Sequence, residues 1–307
     1  MGNIAASIRQ RLLNLSRAQG RPFQDVLQFY VMERFLYRLS RSKHADRFVL
    51  KGALMLQVWE SPQARPTMDI DMLGRTDNDM DALLAQLRDV LNVDISADRG
   101  ADDGLIFDGD SLHAETITED ADYAGVRVRG AVELNGARSR LQLDIGFGDA
   151  VVPEPQSMRY PVLLDLPAPE LLCYSRESAI AEKVQAMVAL GPINSRMKDF
   201  YDIWLLSRQF SFDIEILVQA ISATFERRHT VIPERPLFDT GFAADKQPQW
   251  RAFLRRLGDD VPAELEFVTV LSVLEDFVGY ALEADSASAL KMNWPPGGPW
   301  QQMERGQ

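Results

Sequence analysis

Apolar residues recur with helical periodicity near the N-terminus and through the second half of the chain. Residues 3–18, 23–40 and 77–91 place apolar side chains three or four positions apart, which predicts amphipathic helices. Gly52 follows an apolar segment and predicts a turn that opens a further helix, ending near residue 61. The same periodicity predicts five more helices, over residues 178–190, 196–208, 213–225, 248–257 and 262–281.

Strand patterns lie between these helical regions. The segments DIDML at residues 69–73 and SRLQLDIGF at residues 139–147 alternate polar and apolar positions, as half-buried strands do. Residues 126–135 also favour strand structure, whereas residues 94–122 are acidic and without a clear period. We therefore expect two or three strands in this part of the chain and irregular structure over residues 94–122.

Length and proline content bear on the domain organisation. A chain of 307 residues suggests two domains, or one domain with a large extension. Five prolines between residues 150 and 170 predict a crossover or a domain boundary there. The proline- and glycine-rich tail from Asn293 is expected to be weakly ordered.

Composition limits the classes of function. The net charge of −12 argues against broad electrostatic wrapping of nucleic acid, although a local basic groove stays possible. The arginines around Arg34 and Arg38 fit either a solvated helix face or phosphate contacts. No apolar run is long enough to span a membrane, and the N-terminus lacks the apolar core of a signal peptide. With a single cysteine as well, we expect a cytoplasmic protein.

Asp69 and Asp71 flank a single apolar residue within RPTMDIDMLG, residues 65–74. On a strand, their carboxylates project from one face, roughly 6.6 Å apart. Two like charges at that distance repel by roughly 2–3 kcal/mol at an effective dielectric constant of about 20. This favours either a divalent cation between them or two solvated acids at a strand end. The three histidines lie far apart, so a metal would have oxygen ligands, as Mg²⁺ or Mn²⁺ does.

Other candidate residues are individually ambiguous. Gly52 before a helix would offer backbone amides to an anion. Asp144 lies on the polar face of its strand, where a surface role is the simpler interpretation. Lys183 lies among apolar residues and could extend to solvent or bind a phosphate. Asp199 and Asp202 share one helix face, where Lys198 and Asp202 could form only a surface ion pair.

Taken together, these residues resemble the nucleotidyltransferase superfamily. They resemble one branch closely, the AbiEii-type nucleotidyltransferase toxins of bacterial toxin–antitoxin and abortive-infection systems. The resemblance covers nearly the whole chain and rests on FVLKGALML at residues 48–56, RPTMDIDMLG at 65–74, LDIGFGD at 143–149 and EKVQAMVALGPINSRMKDFYDIWLL at 182–206, with IPERPLF and QPQWRAFLRR further on.

The resemblance implies an α+β fold. An N-terminal mixed sheet flanked by helices would occupy residues 1–165. A C-terminal helical bundle over residues 166–307 would complete the active-site cleft. The resemblance also implies that a nucleotide is transferred from an NTP to RNA, at the 3′ end of tRNA. This transfer would block translation. A cognate antitoxin protein would be the partner.

The resemblance also implies roles for individual residues. Mg²⁺ or Mn²⁺ would be held by Asp69, Asp71 and Asp144. The amides of Gly52 and Ala53, with Lys51 nearby, would hold phosphates. In the later helices, Lys183 would neutralise triphosphate charge, Asp199 would orient Lys183 or an acceptor hydroxyl, and Asp202 would support it.

One departure keeps alternatives open. The superfamily's helix-opening turn usually contains Gly-Gly or Gly-Ser, often followed in this family by a threonine, whereas this chain has Gly52-Ala53-Leu54 with no hydroxyl. A nucleotide-binding module without turnover is therefore one alternative. A haloacid-dehalogenase-like phosphatase is another, with the first aspartate of DxD as nucleophile. It needs a buried strand before that aspartate, and Arg65-Pro66-Thr67 does not fit one.

Overall fold

The computed structural model describes residues 3–61, 65–96, 98, 100–120, 123–234, 237–239, 241–257, 265–283 and 291–303. The chain groups into two compact units. The first consists of Met1–Glu60, Pro66–Gly148 and Gln156–Cys173, and the second of Ser61–Arg65, Asp149–Pro155 and Tyr174–Gln307. The division into domains at residues 165 and 166 stays a prediction.

In its described residues, the first unit contains a mixed sheet and four α-helices. The strands are β1 (Phe48–Lys51), β2 (Ile70–Gly74), β3 (Ile106–Asp120), β4 (Tyr123–Leu134), β5 (Ala137–Phe147), β6 (Gln156–Arg159) and β7 (Glu170–Cys173). The helices are α1 (Ile4–Gln19), α2 (Phe23–Arg41), α3 (Met55–Val58) and α4 (Met80–Leu91). The seven strands are ordered β3-β4-β5-β2-β1-β7-β6.

The central strand β2 runs parallel to β5 and antiparallel to β1. Its apolar side chains Ile70 and Met72 are buried, as the alternation of DIDML predicted. Strands β4 and β5 form a hairpin whose turn is Asn135-Gly136, with φ values of 45° and 78°. Asn-Gly is the pair that a two-residue hairpin turn of this conformation favours.

Two expectations for the first unit are wrong. Within residues 94–122, the described part from Ile106 to Asp120 is a strand that pairs along β4, so partner strands outweigh the weak local pattern. Arg34 and Arg38 neither line a solvated face nor remain available for phosphates. Both are buried and bind the carboxylate of Asp103, with Arg38 Nη2 3.1 Å from Oδ1.

The second unit is mainly helical, which confirms the predicted α+β class. Its helices are α5 (Arg176–Leu190), α6 (Met197–Gln209), α7 (Ile214–Arg227), α8 (Phe242–Leu257), α9 (Phe267–Leu274) and α10 (Tyr280–Glu283), with a π-helical turn at Glu275–Gly279. Three short strands, β8 (Phe212–Asp213), β9 (Met292–Trp294) and β10 (Gln301–Gln302), form a second sheet.

Aromatic side chains fill the core of this unit. Phe200 on α6 packs edge-on against Phe267, with ring centroids 5.1 Å apart. The predicted weak order of the tail is wrong for its described residues, since Trp294 is buried and donates its indole N–H to the Ser207 carbonyl oxygen at 2.7 Å. Helix α8 begins six residues before its predicted start and contains Pro248. The predicted helix start at residue 262 lies outside the described residues.

No helix in the described parts of the chain is both long and apolar enough to cross a membrane.

Candidate active site

Four charged residues occupy one row across four neighbouring strands of the first unit. Lys51 on β1 pairs with Asp71 on β2, Asp71 pairs with Asp144 on β5, and Asp144 pairs with Arg127 on β4. Residues that pair across a sheet project their side chains from the same face. Because neighbouring strands lie about 4.8 Å apart, the backbones of Asp71 and Asp144 are closer than those of Asp69 and Asp71. The structure therefore brings two of the predicted metal ligands side by side.

Asp144 is held by Arg127 through a two-pronged ion pair. Arg127 Nε lies 2.7 Å from one carboxylate oxygen and Nη2 lies 2.5 Å from the other. These hydrogen bonds raise the pKa of Arg127 above its ordinary value, although its partial burial opposes the shift. Asp144 is only 5% exposed, so the surface position that its strand pattern alone suggested is wrong. The arginine compensates a buried carboxylate that would otherwise be strongly disfavoured.

Gly52 lies directly against Asp71. Its φ is +72°, and a Cβ atom built there would lie 2.6 Å from the Asp71 carboxyl carbon and 2.7 Å from Asp71 Cβ. Atoms of a real side chain do not approach so closely, so this position requires glycine both for its backbone conformation and for the space that Asp71 occupies. The sequence pattern gave Gly52 a role in binding phosphate, whereas this contact links it to Asp71, one of the predicted metal ligands.

The helix that follows Gly52 is shorter than predicted. Gly52–Leu54 forms a 3₁₀ turn, and α3 continues it for only four residues, through Val58. Ala53, within this turn, is buried, and so is Lys51. A helix this short adds little macrodipole, so phosphate binding here would depend on individual amide groups and on Lys51.

Asp69 lies immediately before β2 and is oriented by a nearby hydroxyl group. Thr67 Oγ1 donates a hydrogen bond to Asp69 Oδ1 at 2.5 Å. Thr67 itself is buried, so the hydroxyl has little freedom to move. The sequence pattern had missed this residue, although it lies inside the DxD segment.

The second unit contains the other predicted site residues, and they cluster around Asp202 on α6. Arg65 binds Asp202 through Nε at 2.9 Å and Nη2 at 3.1 Å, while Lys183 Nζ on α5 lies 3.6 Å from Oδ2. Asp202 is 2% exposed, and its negative charge lies against the positive charges of Arg65 and Lys183. The considered surface pair between Lys198 and Asp202 is not the arrangement found. Arg65 was not predicted, because nothing in the sequence indicates its pairing with a residue 137 positions away.

Asp199 lies one helical turn before Asp202 and is also buried. Burial raises its pKa, Lys183 lowers it, and the neighbouring Asp202 raises it again. A carboxyl group with a raised pKa can accept or release a proton closer to neutrality than an ordinary aspartate can. Lys183 thus interacts electrostatically with both aspartates, but its ion pair is with Asp202.

The predicted residues therefore fall into two groups. Lys51, Gly52, Asp69, Asp71 and Asp144 belong to the first unit, where register and close packing bring Lys51, Gly52, Asp71 and Asp144 together. The helical group belongs to the second unit, where Lys183 and Asp202 are in contact.

The first group fits a hard divalent cation in part. Within the described residues, no three His, Cys, Asp or Glu side chains form a ready-made metal site. Asp71 and Asp144 nevertheless supply carboxylate oxygens from adjacent strands. Mg²⁺ is commonly held by one or two carboxylates, with water and substrate phosphates completing its octahedron. The donor set therefore fits Mg²⁺ or Mn²⁺ bound together with a nucleotide better than it fits a metal enclosed by protein ligands alone.

No curated protein sequence matches the chain. Two solved structures from Helicobacter pylori are similar at 16% identity. JHP933 has a TM-score of 0.49 and covers 84% of this chain and 94% of its own. A candidate nucleotidyltransferase has a TM-score of 0.47, and the match covers 85% of this chain and 99% of that protein's chain. Scores this low support no argument about function.

A family model covers most of the chain. The model described as nucleotidyl transferase AbiEii toxin, type IV toxin–antitoxin system, matches residues 34–278. The match includes the strands that hold Lys51, Asp71, Asp144 and Arg127, as well as α5 and α6. The chain belongs to the AbiEii family of nucleotidyltransferase toxins.

Proposed function

We propose that this protein transfers a nucleoside monophosphate from an NTP to the 3′ end of an RNA, a tRNA being the acceptor that best fits a block of translation. The observation that carries the proposal is the row of Lys51, Asp71, Asp144 and Arg127 on one face of the sheet. Two adjacent carboxylates flanked by two cations suit a bound cation and a polyphosphate better than a neutral substrate.

The reaction would form one bond and break another. The acceptor's 3′ hydroxyl would give its proton to solvent as its oxygen bonds to the α-phosphorus, and the bond from the α-phosphorus to the β-phosphate oxygen would break to release pyrophosphate. Mg²⁺ or Mn²⁺ bound to Asp71 and Asp144 would supply positive charge to the α-phosphate and to the departing pyrophosphate. Asp69, oriented by Thr67, is the third candidate ligand.

The chain's own residues would do the positioning. Gly52 leaves room for the Asp71 carboxylate, and Arg127 fixes the carboxylate plane of Asp144. Because Arg127 binds both oxygens of Asp144, a metal would have to use the lone pairs that remain. Lys51 and the amides of Gly52 and Ala53 would hold phosphate oxygens.

The roles of the helical residues stay predictions. Lys183 would neutralise triphosphate charge, with Asp202 and Arg65 fixing its position. Asp199 would orient Lys183 or an acceptor hydroxyl, and its raised pKa would suit proton transfer. A cognate antitoxin would restrain the activity in the cytoplasm, as membership of a type IV toxin–antitoxin family implies.

A second candidate is nucleotide binding without transfer. The turn Gly52-Ala53-Leu54 has no hydroxyl group, and both oxygens of Asp144 are already engaged by Arg127. Calorimetric titration with NTP and Mg²⁺ beside a transfer assay separates the candidates, since this alternative requires binding without pyrophosphate release. The phosphatase alternative has little support, because residues 65–69 form no strand before the aspartates.

The proposal is tested by incubating the protein with total tRNA and each labelled NTP in turn, followed by sequencing of the modified 3′ ends. Wild-type protein should add label from at least one NTP, and Asp69→Ala should abolish that transfer. The same variant should relieve growth arrest on overexpression. Full toxicity of Asp69→Ala would refute the proposal.

A further inference from the structure

A polar groove lies at the beginning of β5, beside the segment that leads into the DxD aspartates. Its volume is about 440 Å³, and it is lined by Gln24, Gln28, Met68, Arg138, Ser139, Arg140 and Gln142. Arg138, Arg140, Gln142 and Asp144 occupy every second position of β5. Residues at such positions project from the same face of a strand. The two arginines of the groove therefore lie on the face that carries the proposed metal site, whereas Ser139, which bonds Gln28 of α2, projects from the other face.

The two arginines of the groove are available for a ligand. Both are exposed, and neither side chain has a hydrogen bond or ion pair to any residue that the structure describes. Arg140 precedes Asp144 by four residues, or about 13 Å along a strand, and Arg138 by about 20 Å. In a chain with a net charge of −12, two adjacent exposed guanidinium groups are a local exception, although Glu133 is the cross-strand neighbour of Arg138.

The floor of the groove is built by one buried side chain. Gln28 Nε2 donates to the carbonyl oxygens of Met68, at 3.0 Å, and Arg140, at 2.9 Å, while its Oε1 accepts from Ser139 Oγ at 2.7 Å. This amide ties the segment before Asp69 to β5. Met68 is 50% exposed and adds an apolar surface next to Asp69.

These contacts favour a phosphate-bearing ligand over a peptide. A peptide adding to the edge of β5 would need the carbonyl oxygens of Arg138 and Arg140. Gln24 and Gln28 already donate to those oxygens, at 3.1 and 2.9 Å. Guanidinium groups spaced along a groove, beside an apolar side chain on which a base can rest, suit a single-stranded nucleic acid.

We propose that this groove binds the single-stranded end of the RNA acceptor, with Arg138 and Arg140 contacting its phosphates and Met68 contacting a base. The inference rests on the proposed transfer to RNA and adds the place where the acceptor lies. The RNA would approach Asp69, Asp71 and Asp144 along β5.

The test is the double variant Arg138→Glu/Arg140→Glu in the full chain. We expect the KM for total tRNA to rise at least tenfold while the KM for NTP is unchanged. In direct RNA titrations without NTP, the slope of log affinity against log salt should fall by about 1.4, since each single-strand phosphate contact contributes about 0.7. Arg138→Lys/Arg140→Lys should keep most of the binding and shows that the fold tolerates changes there.

The matched control is Arg17→Glu/Arg159→Glu, which makes the same change in net charge at two exposed arginines of the first unit outside the groove. It should leave RNA binding near that of the wild type. Equal losses in both double variants, or an unchanged KM for RNA in the groove variant, would overturn the inference. Loss of antitoxin binding with unchanged RNA binding would also overturn it, by making the groove a protein site. Absence of transfer by the wild-type protein would instead refute the proposed function, and the RNA titration would still test the groove.

Discussion

Gly52 and Asp71 occupy adjoining space so closely that no side chain fits between them. An alanine Cβ at position 52 would lie 2.6 Å from the Asp71 carboxyl carbon, and the backbone there has a φ of +72°. The glycine is thus part of the structure that fixes the Asp71 carboxylate beside Asp144. A turn that resembles a phosphate-binding loop in sequence has here a second, purely steric function.

We predict that Gly52→Ala lowers the rate of nucleotide transfer by more than its loss of stability explains. The left-handed backbone costs an alanine about 1–2 kcal/mol, and the overlap forces the Asp71 carboxylate to move. A displacement on the order of 1 Å can lower a catalytic rate about 100-fold. Rates of nucleotide transfer and thermal unfolding of the variant measure the two effects.

Gly20→Ala is the control for that experiment. Gly20 has a φ of +64°, and an added Cβ there would meet nothing within 4 Å. It should show a similar loss of stability from backbone strain and normal transfer. If Gly52→Ala were as active as Gly20→Ala, the steric link to Asp71 would be wrong.

The ion pair of Arg127 and Asp144 gives a second prediction. Arg127→Met leaves the buried Asp144 carboxylate without its partner and should lower the free energy of unfolding by about 2–4 kcal/mol. Arg127→Met/Asp144→Leu should lose less, because it leaves no buried charge uncompensated. Urea unfolding of both variants and of Asp144→Leu completes a double-mutant cycle. A double variant that is less stable than Arg127→Met would contradict this account.

The acids of this row illustrate how far the sequence could be interpreted. Alternation in DIDML and SRLQLDIGF was enough to place Asp71 and Asp144 on the polar faces of two strands, whereas Asp69 lies just before β2 and not within it. It could not supply the register that aligns Asp71 with Asp144, because register depends on contacts between distant segments. Arg127 also lies on the polar face of an alternating segment, but its partner could not be inferred without that register.

The errors in the fold have the same origin. Arg34 and Arg38 appeared to be surface residues because Asp103 lies more than sixty positions away. The tail appeared weakly ordered because it is rich in proline and glycine, yet Trp294 and Trp300 pack on Phe277. In each case a tertiary contact outweighed the local composition.

The buried aspartate of α6 gives a pH-dependent prediction. Burial raises the pKa of Asp199 above its ordinary value of 3.8, so the folded protein binds its proton more tightly than the unfolded chain does. The contribution of Asp199 to the free energy of unfolding is therefore greatest below pH 3.8, and it decreases as the pH rises through the pKa of Asp199 in the folded protein.

Asp199→Asn should consequently gain stability relative to the wild type as the pH rises from about 3.5 to about 7. Asp245→Asn, at an exposed aspartate of α8, is the matched control for replacing a carboxylate with an amide. Urea unfolding at several pH values measures the difference. A stability difference that is independent of pH would show that the pKa of Asp199 is not raised.

The most direct test of the central claim compares the transfer of α-labelled NMP to tRNA by the wild type, Asp71→Asn and Asp110→Asn, with Mg²⁺ present and after its removal by a chelator. Asp110 is an exposed aspartate of β3, so its variant controls for the chemical change alone. We expect Mg²⁺-dependent labelling of RNA 3′ ends by the wild type and Asp110→Asn. Asp71→Asn should be about 100-fold slower or worse. Equal labelling by Asp71→Asn and the wild type would contradict an active site built on the paired carboxylates of Asp71 and Asp144.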